Sequence, residues 1–215
     1  LPFMATSCCP AWSVMAKKLF PEQANCISMA LTPMTLTARL IKHHQPGAKV
    51  AFIGPCAAKK LEAMRRTVRS EVDFVLTFEE MAGIFEARHI DVNTLKEDPH
   101  GVNDASADGR NFAVSGGVAQ AVVNVIKEKY PDREIKVANA EGLSECRKLM
   151  MMAKAGKYNG YLLEGMACPG GCVAGAGTMQ SIKKSSVAVN MYAKQAEHQV
   201  ATGTHHVAEL DKLVD

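Results

Sequence analysis

Glu164–Gly177 reads EGMACPGGCVAGAG and follows directly on the apolar run Tyr161–Leu163. Its two thiols, Cys168 and Cys172, stand in a C-x3-C spacing. If the chain turns helical through this loop, both sulfurs fall on one face about one turn apart. Five glycines among these fourteen residues let the backbone approach a bulky group with no Cβ atoms in the way. Thiols, close backbone and the lack of large side chains point to an inorganic sulfur cluster. The plainer reading is a glycine-rich loop with two buried free cysteines, a residue type often found inside proteins.

Outward from this loop, short apolar runs alternate with helical periodicity. Val50–Ile53, Phe74–Leu76, Ile135–Ala138 and Tyr161–Leu163 read as strands. Helices are expected from Ala57 to about Arg66, from the capping box Thr77-x-x-Glu80 onward, after Asn111–Gly117, and over Leu143–Ala155 up to Gly156. This alternation predicts an α/β layer with a largely parallel sheet, whose ligands sit beyond the carboxyl ends of the strands. Cys56 and Cys168 each follow a strand, so both belong on that rim. Before Lys49 lie a strand end within Leu1–Ser7, a helix carrying Trp12, Met15, Ala16 and Leu19, and a helix from Thr32-Pro33 with Leu36, Leu40 and Ile41 facing inward. Residues 91–110 read as a polar loop. A last helix spans roughly Gln180 to Val200, with Ile182, Val189 and Met191 on its apolar side.

Composition excludes several classes. With 47% apolar and 22% charged residues, the chain is ordinary globular material. A net charge of +3 is too mild to argue for nucleic acid or an anionic membrane surface. No run approaches the roughly 18–20 apolar residues of a membrane span. Seven cysteines, an odd count without a secretory signal, argue against a disulfide framework and for a reducing, cytoplasmic compartment. Leu1 reads as an internal start, with a region upstream.

Three thiol-bearing turns share one pattern: Cys8-Cys9-Pro10, Pro55-Cys56 and Cys168-Pro169 each place a thiol at the expected start of a helix. The half-positive helix N-terminus lowers a thiol's pKa and favours the thiolate that binds metal, and Lys59 and Lys60 add positive charge beside Cys56. Four thiols suit zinc or an iron–sulfur cubane. Zinc sites usually pair two short knuckles, so the dispersed spacing here favours a cluster held between layers.

TSCCPAW (Thr6–Trp12), GPCAAKKLE (Gly54–Glu62) and EGMACPGGC (Glu164–Cys172) resemble, in order, the three signature loops of the [FeFe]-hydrogenase catalytic domain, and SGGV (Ser115–Val118) resembles a further segment. The resemblance runs to about Tyr192. It implies an α/β lobe with a parallel four-stranded sheet over residues 49–177, a partial first lobe over 1–48, and a C-terminal helix and tail over 178–215, with the cluster in the cleft between lobes. It further implies that Cys9, Cys56, Cys168 and Cys172 hold a [4Fe–4S] cubane. Cys172 would also bridge to a diiron subcluster carrying CO, cyanide and a dithiolate amine, together the H-cluster. Cys8 would pass protons to the amine, with Ser28 and Glu62 further along the proton path. Lys59 would hydrogen-bond an iron-bound cyanide, while Met166 and Ala57 would border the subcluster. The implied activity is reversible H2 oxidation and proton reduction, with an electron carrier such as ferredoxin, an upstream region and hydrogenase maturases as partners. Gly54 stands where catalytic members typically carry methionine, and Ala11 where many carry glycine; this implies a different branch, such as an H2-sensing or regulatory protein with little turnover.

Other residues have plainer readings. Cys26 and Cys146 read as core thiols, Cys146 sharing a helix face with Leu143, Leu149 and Met150. Glu62 would most simply pair on a helix surface with Arg65 or Arg66, and Ser28 would cap a turn. His43-His44 and His205-His206 lack partner spacing and read as exposed helix-end and tail residues.

Overall fold

The strand that delivers the cysteine loop runs from Tyr161 to Met166, beyond the apolar run that announces it. The structure is a computed structural model and describes residues 1–69, 71–96 and 104–210. In chain order the elements are β1 (Met4–Ala5), α1 (Pro10–Leu19), α2 (Pro33–His44), β2 (Ala51–Gly54), α3 (Ala58–Ala63), β3 (Phe74–Thr77), α4 (Phe78–Ala87), α5 (Ala107–Arg110), α6 (Gly117–Lys129), β4 (Lys136–Glu141), α7 (Leu143–Lys154), β5 (Tyr161–Met166), α8 (Ile182–Lys194) and α9 (His206–Leu210). The loop reading of residues 91–110 is corrected by a 3₁₀ turn at Val92–Thr94 and by α5; residues 97–103 lie outside the described part.

All four expected strands form, but not as a single four-stranded sheet. β1, β5 and β4 make a three-stranded parallel sheet with β5 in the middle, and β2 pairs in parallel with β3 in a separate two-stranded sheet. Burial of β5 explains the partition. Leu162 through Met166 are all buried, as in a central parallel strand, so both edges of β5 need ladder partners. β4 takes one edge, and the short β1 takes the other, with Thr6 N–H donating to the Leu163 carbonyl at 2.9 Å. Ile27 then bridges to Ala5 on the far side of β1.

Helices cover both faces. Trp12, Ala16 and Phe20 of the α1 segment and Cys146, Leu149, Met150 and Ala153 of α7 pack on the face that carries Leu163. Ala119 and Val123 of α6 pack on Leu162, which points the other way. The second sheet rests on Met34 and Ala38 of α2 and on Val72. Leu36, Leu40 and Ile41, expected to face inward, instead line an open cavity, because the buried stripe of α2 is Met34, Thr35 and Ala38. The last helix is shorter than its pattern implies. Ser181 caps it by accepting from Lys184 N–H, only Ala193 is buried, and Ile182 and Met191 stay exposed. Among the described residues, no helix is long and apolar enough to cross a membrane.

The contact between α1 and β5 fixes where the first cysteine turn lies. Trp12 is fully buried, its indole N–H donates to the Thr6 carbonyl at 2.9 Å, and its ring lies flat against Gly165. A Cβ on Gly165 would come within 2.2 Å of Trp12 Cδ2. Gly165→Ala is therefore expected to destabilise the fold by about 1–3 kcal/mol, the usual cost of overpacking. Urea unfolding would show this as a lower midpoint with unchanged slope; an unshifted midpoint would mean that Trp12 is not held against β5.

Candidate metal centre

Three loops far apart in sequence meet at the carboxyl ends of the strands. Cys9 is the N-cap residue of α1, with Pro10 at the first helical position. Cys56 follows β2, and its carbonyl accepts from Lys59 N–H as α3 begins. Cys168 does not start a helix. Gly170 and Gly171 take φ of +91° and +97°, a left-handed path that breaks helical continuation, so the chain makes a turn closed by Gly171 N–H on the Cys168 carbonyl. Cys172 then opens a 3₁₀ turn. The one-face helical arrangement of Cys168 and Cys172 is thus replaced by a left-handed turn.

A cavity of about 670 Å³ is bordered by Cys8, Cys9, Cys56, Lys59, Met166 and Cys172. Cys168 is not among the lining residues, yet it is close enough to Cys9, Cys56 and Cys172 that their charges act on one another. Burial pushes Cys172 up to about 12, repulsion from Cys9, Cys56 and Cys168 adds to it, and Lys59 opposes the rise. Burial likewise pushes Cys8 up to about 12, helped by Glu164, Cys9 and Cys172, and it raises Cys168. Helix ends are expected to hold such thiols down; burial outweighs them here. A metal centre reverses the balance, since a coordinating thiol is deprotonated outright.

The spacing of the thiols bears on which metal fits. Tetrahedral zinc with Zn–S bonds near 2.3 Å places its thiolates about 3.8 Å apart. Among the described residues, no three cysteine sulfurs lie within 4.8 Å of one another. Soft thiolate donors of this kind are the set that an iron–sulfur cluster takes.

The remaining predicted residues divide into those at the cavity and those beside it. Lys59 is buried; its ammonium donates to Glu62 Oε2 at 2.8 Å and to the Cys8 carbonyl at 3.4 Å. Glu62 is not a surface carboxylate paired with Arg65 or Arg66. It is 3% exposed and also accepts from the Thr32 hydroxyl at 2.6 Å and from Thr35 Oγ1 at 3.4 Å. Met166 is buried at the cavity wall, whereas Ala57 is exposed and outside the lining residues. Ser28 Oγ accepts from Ala30 N–H, and Ser28 joins Cys8 in lining a second cavity of about 810 Å³. Cys26 and Cys146 sit in the core; burial pushes Cys146 up to about 11, while Leu143 of its helix is exposed. A Cβ on Gly54 would meet the Phe52 ring at 2.8 Å, so that ring fills the space a larger residue would take.

Two carboxylates to which the motifs give no role fix the cysteine loop and the strand that enters it. Glu164 is fully buried in β5 and accepts from Gly116 N–H at 2.7 Å and Ala119 N–H at 2.6 Å, at the positive start of α6. Burial raises its pKa, and these backbone donors pull it back. Glu141 accepts from Gly170 N–H at 2.7 Å, and the Gly170 carbonyl accepts from Ser115 N–H at 3.1 Å. A lone carboxylate inside the apolar run YLLEGM was the sequence signal for Glu164. Glu141 gave none.

Residues 1–176 match the family described as "Iron only hydrogenase large subunit, C-terminal domain", and the chain belongs to that family. It is 30% identical over 215 residues to the periplasmic [Fe] hydrogenase large subunit of Nitratidesulfovibrio vulgaris, covering 80% of this chain and 50% of that protein. It is 25% identical over 224 residues to the nuclear prelamin A recognition factor of Xenopus laevis, covering 83% of this chain and 49% of that protein. The chain thus spans about half the length of these relatives. An [FeFe]-hydrogenase structure from Chlamydomonas reinhardtii shares the fold with a TM-score of 0.77 at 22% identity, over 99% of this chain and 71% of that one.

Glu164→Ala strands the Gly116 and Ala119 N–H groups and is expected to cost about 1–3 kcal/mol, measured by denaturant unfolding; equal stability would remove the clamp. Gly171→Ala puts a Cβ within 2.6 Å of Ser115 N at a left-handed φ. It should lower iron retained after anaerobic reconstitution while leaving the helical circular dichroism intact, and full iron retention would show that the loop tolerates another path.

Proposed function

We propose that this chain is the cluster-binding part of an [FeFe]-hydrogenase, running 2H+ + 2e− ⇌ H2, with Cys9, Cys56, Cys168 and Cys172 holding a [4Fe–4S] cubane. Cys172 would also hold a two-iron subcluster with CO, cyanide and dithiolate ligands. One observation carries this reading: Cys9, Cys56 and Cys172, from three separate loops, line one cavity beside a buried lysine, with Cys168 close enough for its charge to act on them. When bound, the cluster supplies electron storage and the making and breaking of the H–H bond.

The protein's share is positioning, countercharge and proton handling. Lys59 gives N–H groups to Glu62 and to the Cys8 carbonyl, which leaves a third donor that would serve an iron-bound cyanide. Glu62 fixes that ammonium, tied in turn to the α2 N-terminus through Thr32. Cys8 borders both cavities, and burial keeps its thiol neutral, so it can hold a proton at Sγ between them. Ser28 lines the far cavity and carries the proton onward. Met166, buried at the end of β5, would border the subcluster. An electron carrier such as ferredoxin, an upstream region and the hydrogenase maturases complete the system, in a reducing cytoplasm.

Gly54 and the likeness to the nuclear prelamin A recognition factor favour a second reading, an iron–sulfur or H2-sensing protein with little turnover. Phe52 at the Gly54 position keeps the cavity wall apolar, which suits either. Infrared spectroscopy of the full protein made with its maturases separates them. Bands from iron-bound CO and cyanide are expected, and iron without those bands would leave only the cubane. Cys8→Ala should keep the bands and lose at least about 100-fold in turnover; full turnover in that variant would end the relay assignment.

A further inference from the structure

His205 and His206, which read in sequence as tail residues without partners, meet an acid distant in sequence. His206 Nε2 lies 2.9 Å from Asp104 Oδ2, and His205 Nε2 lies 3.7 Å from the same oxygen. The other ring nitrogen of His206, Nδ1, lies 3.4 Å from Glu209 Oε2, and His44 Nε2 lies 3.7 Å from that oxygen. Asp104, His205 and His206 each offer one ligand atom, all within 4.8 Å of one another.

A neutral imidazole has one N–H and one lone pair. If His206 gives its N–H to Glu209, its Nε2 lone pair faces the Asp104 carboxylate, and two lone pairs 2.9 Å apart repel. A second proton on the ring, which makes both nitrogens donors, or a cation between the two atoms removes the conflict. Tetrahedral zinc with bonds of about 2.0–2.2 Å to nitrogen and oxygen places ligand atoms about 3.3–3.6 Å apart, and the 2.9 and 3.7 Å separations bracket that range. Glu209 on the far nitrogen of His206 is the carboxylate–histidine partner that usually orients a metal ligand.

We propose that Asp104, His205 and His206 form a site for a borderline divalent transition ion of the zinc class, with Glu209 as the orienting carboxylate. Imidazole donors select such ions over calcium or magnesium. The site joins α9 to the segment entering α5, and through Glu209 and His44 to the end of α2. Asp104, His206, Glu209 and His44 also border the 810 Å³ cavity that reaches Cys8. A bound ion therefore staples the C-terminal segment across one side of that cavity. The site stands whatever group the cysteines hold.

Zinc and cobalt(II), added as the metals alone to the cluster-loaded chain, test the site. Equilibrium dialysis should find one zinc equivalent in the wild type that His205→Ala/His206→Ala lacks. Glu209→Gln should bind that equivalent about 10–100-fold more weakly. Because free thiols also bind these ions, cobalt reports the ligand type: this equivalent should show visible d–d bands without the near-ultraviolet sulfur charge-transfer band. Zinc should raise the thermal midpoint of the wild type and not that of the double variant. His205→Ala alone changes only an exposed side chain and should already weaken binding. Unchanged stoichiometry and affinity in both histidine variants, or sulfur ligation of every bound ion, would overturn the proposal.

Discussion

Thiols gathered at one dry place repel one another as they ionise, and the rest of this structure exists around that conflict. Cys172 feels Cys9, Cys56 and Cys168, and burial sharpens the repulsion. Only a positively charged centre can turn such a set into thiolates. Lys59 supplies part of that charge, and its own charge is matched by a buried carboxylate on Glu62. A buried ion pair of this kind is weak support for stability. Its sense lies in placing an ammonium beside the thiols.

Holding the loops together falls to backbone groups more than to side-chain packing. The Pro55 carbonyl, one residue before Cys56, accepts from Gly177 N–H, and the Gly177 carbonyl accepts from Glu79 N–H, so the second and third loops are laced to α4. Glu141 and Ser115 grip Gly170, and Glu164 grips the start of α6. Trp12 against Gly165 sets α1, and with it Cys9, whose sulfur accepts from Ala167 N–H at 3.5 Å. Small residues occur where backbone must touch backbone or ring, which is why the loop is rich in glycine.

Much of this was legible in the chain. The alternation of apolar runs and helical stripes located every strand, the Thr77–Glu80 capping box formed with both arms, and Cys56 and Cys168 each follow the end of a strand, though of two separate sheets rather than one rim. Sheet partition was not legible, because which strand edge pairs with which is settled by tertiary burial; nothing in Met4–Ala5 announces that it will complete β5. The inward face of α2 was misjudged for a related reason. Leu36 and Leu40 have the right spacing for a core, yet they front a cavity. Thr32 beneath Glu62, and Asp104 beside His206, stand thirty and a hundred and two residues from their partners. Local pattern carries no trace of such meetings.

Fold, loop clamps and buried lysine converge on one claim, that Cys9, Cys56, Cys168 and Cys172 share a single cubane. Anaerobic reconstitution with iron and sulfide, followed by iron counting and electron paramagnetic resonance of the reduced protein, tests it most directly. The claim predicts about four irons per chain and a [4Fe–4S]+ signal, both lost when Cys56 is replaced by Ser. Iron bound as single ions, or a cluster signal that survives Cys56→Ser unchanged, would contradict it.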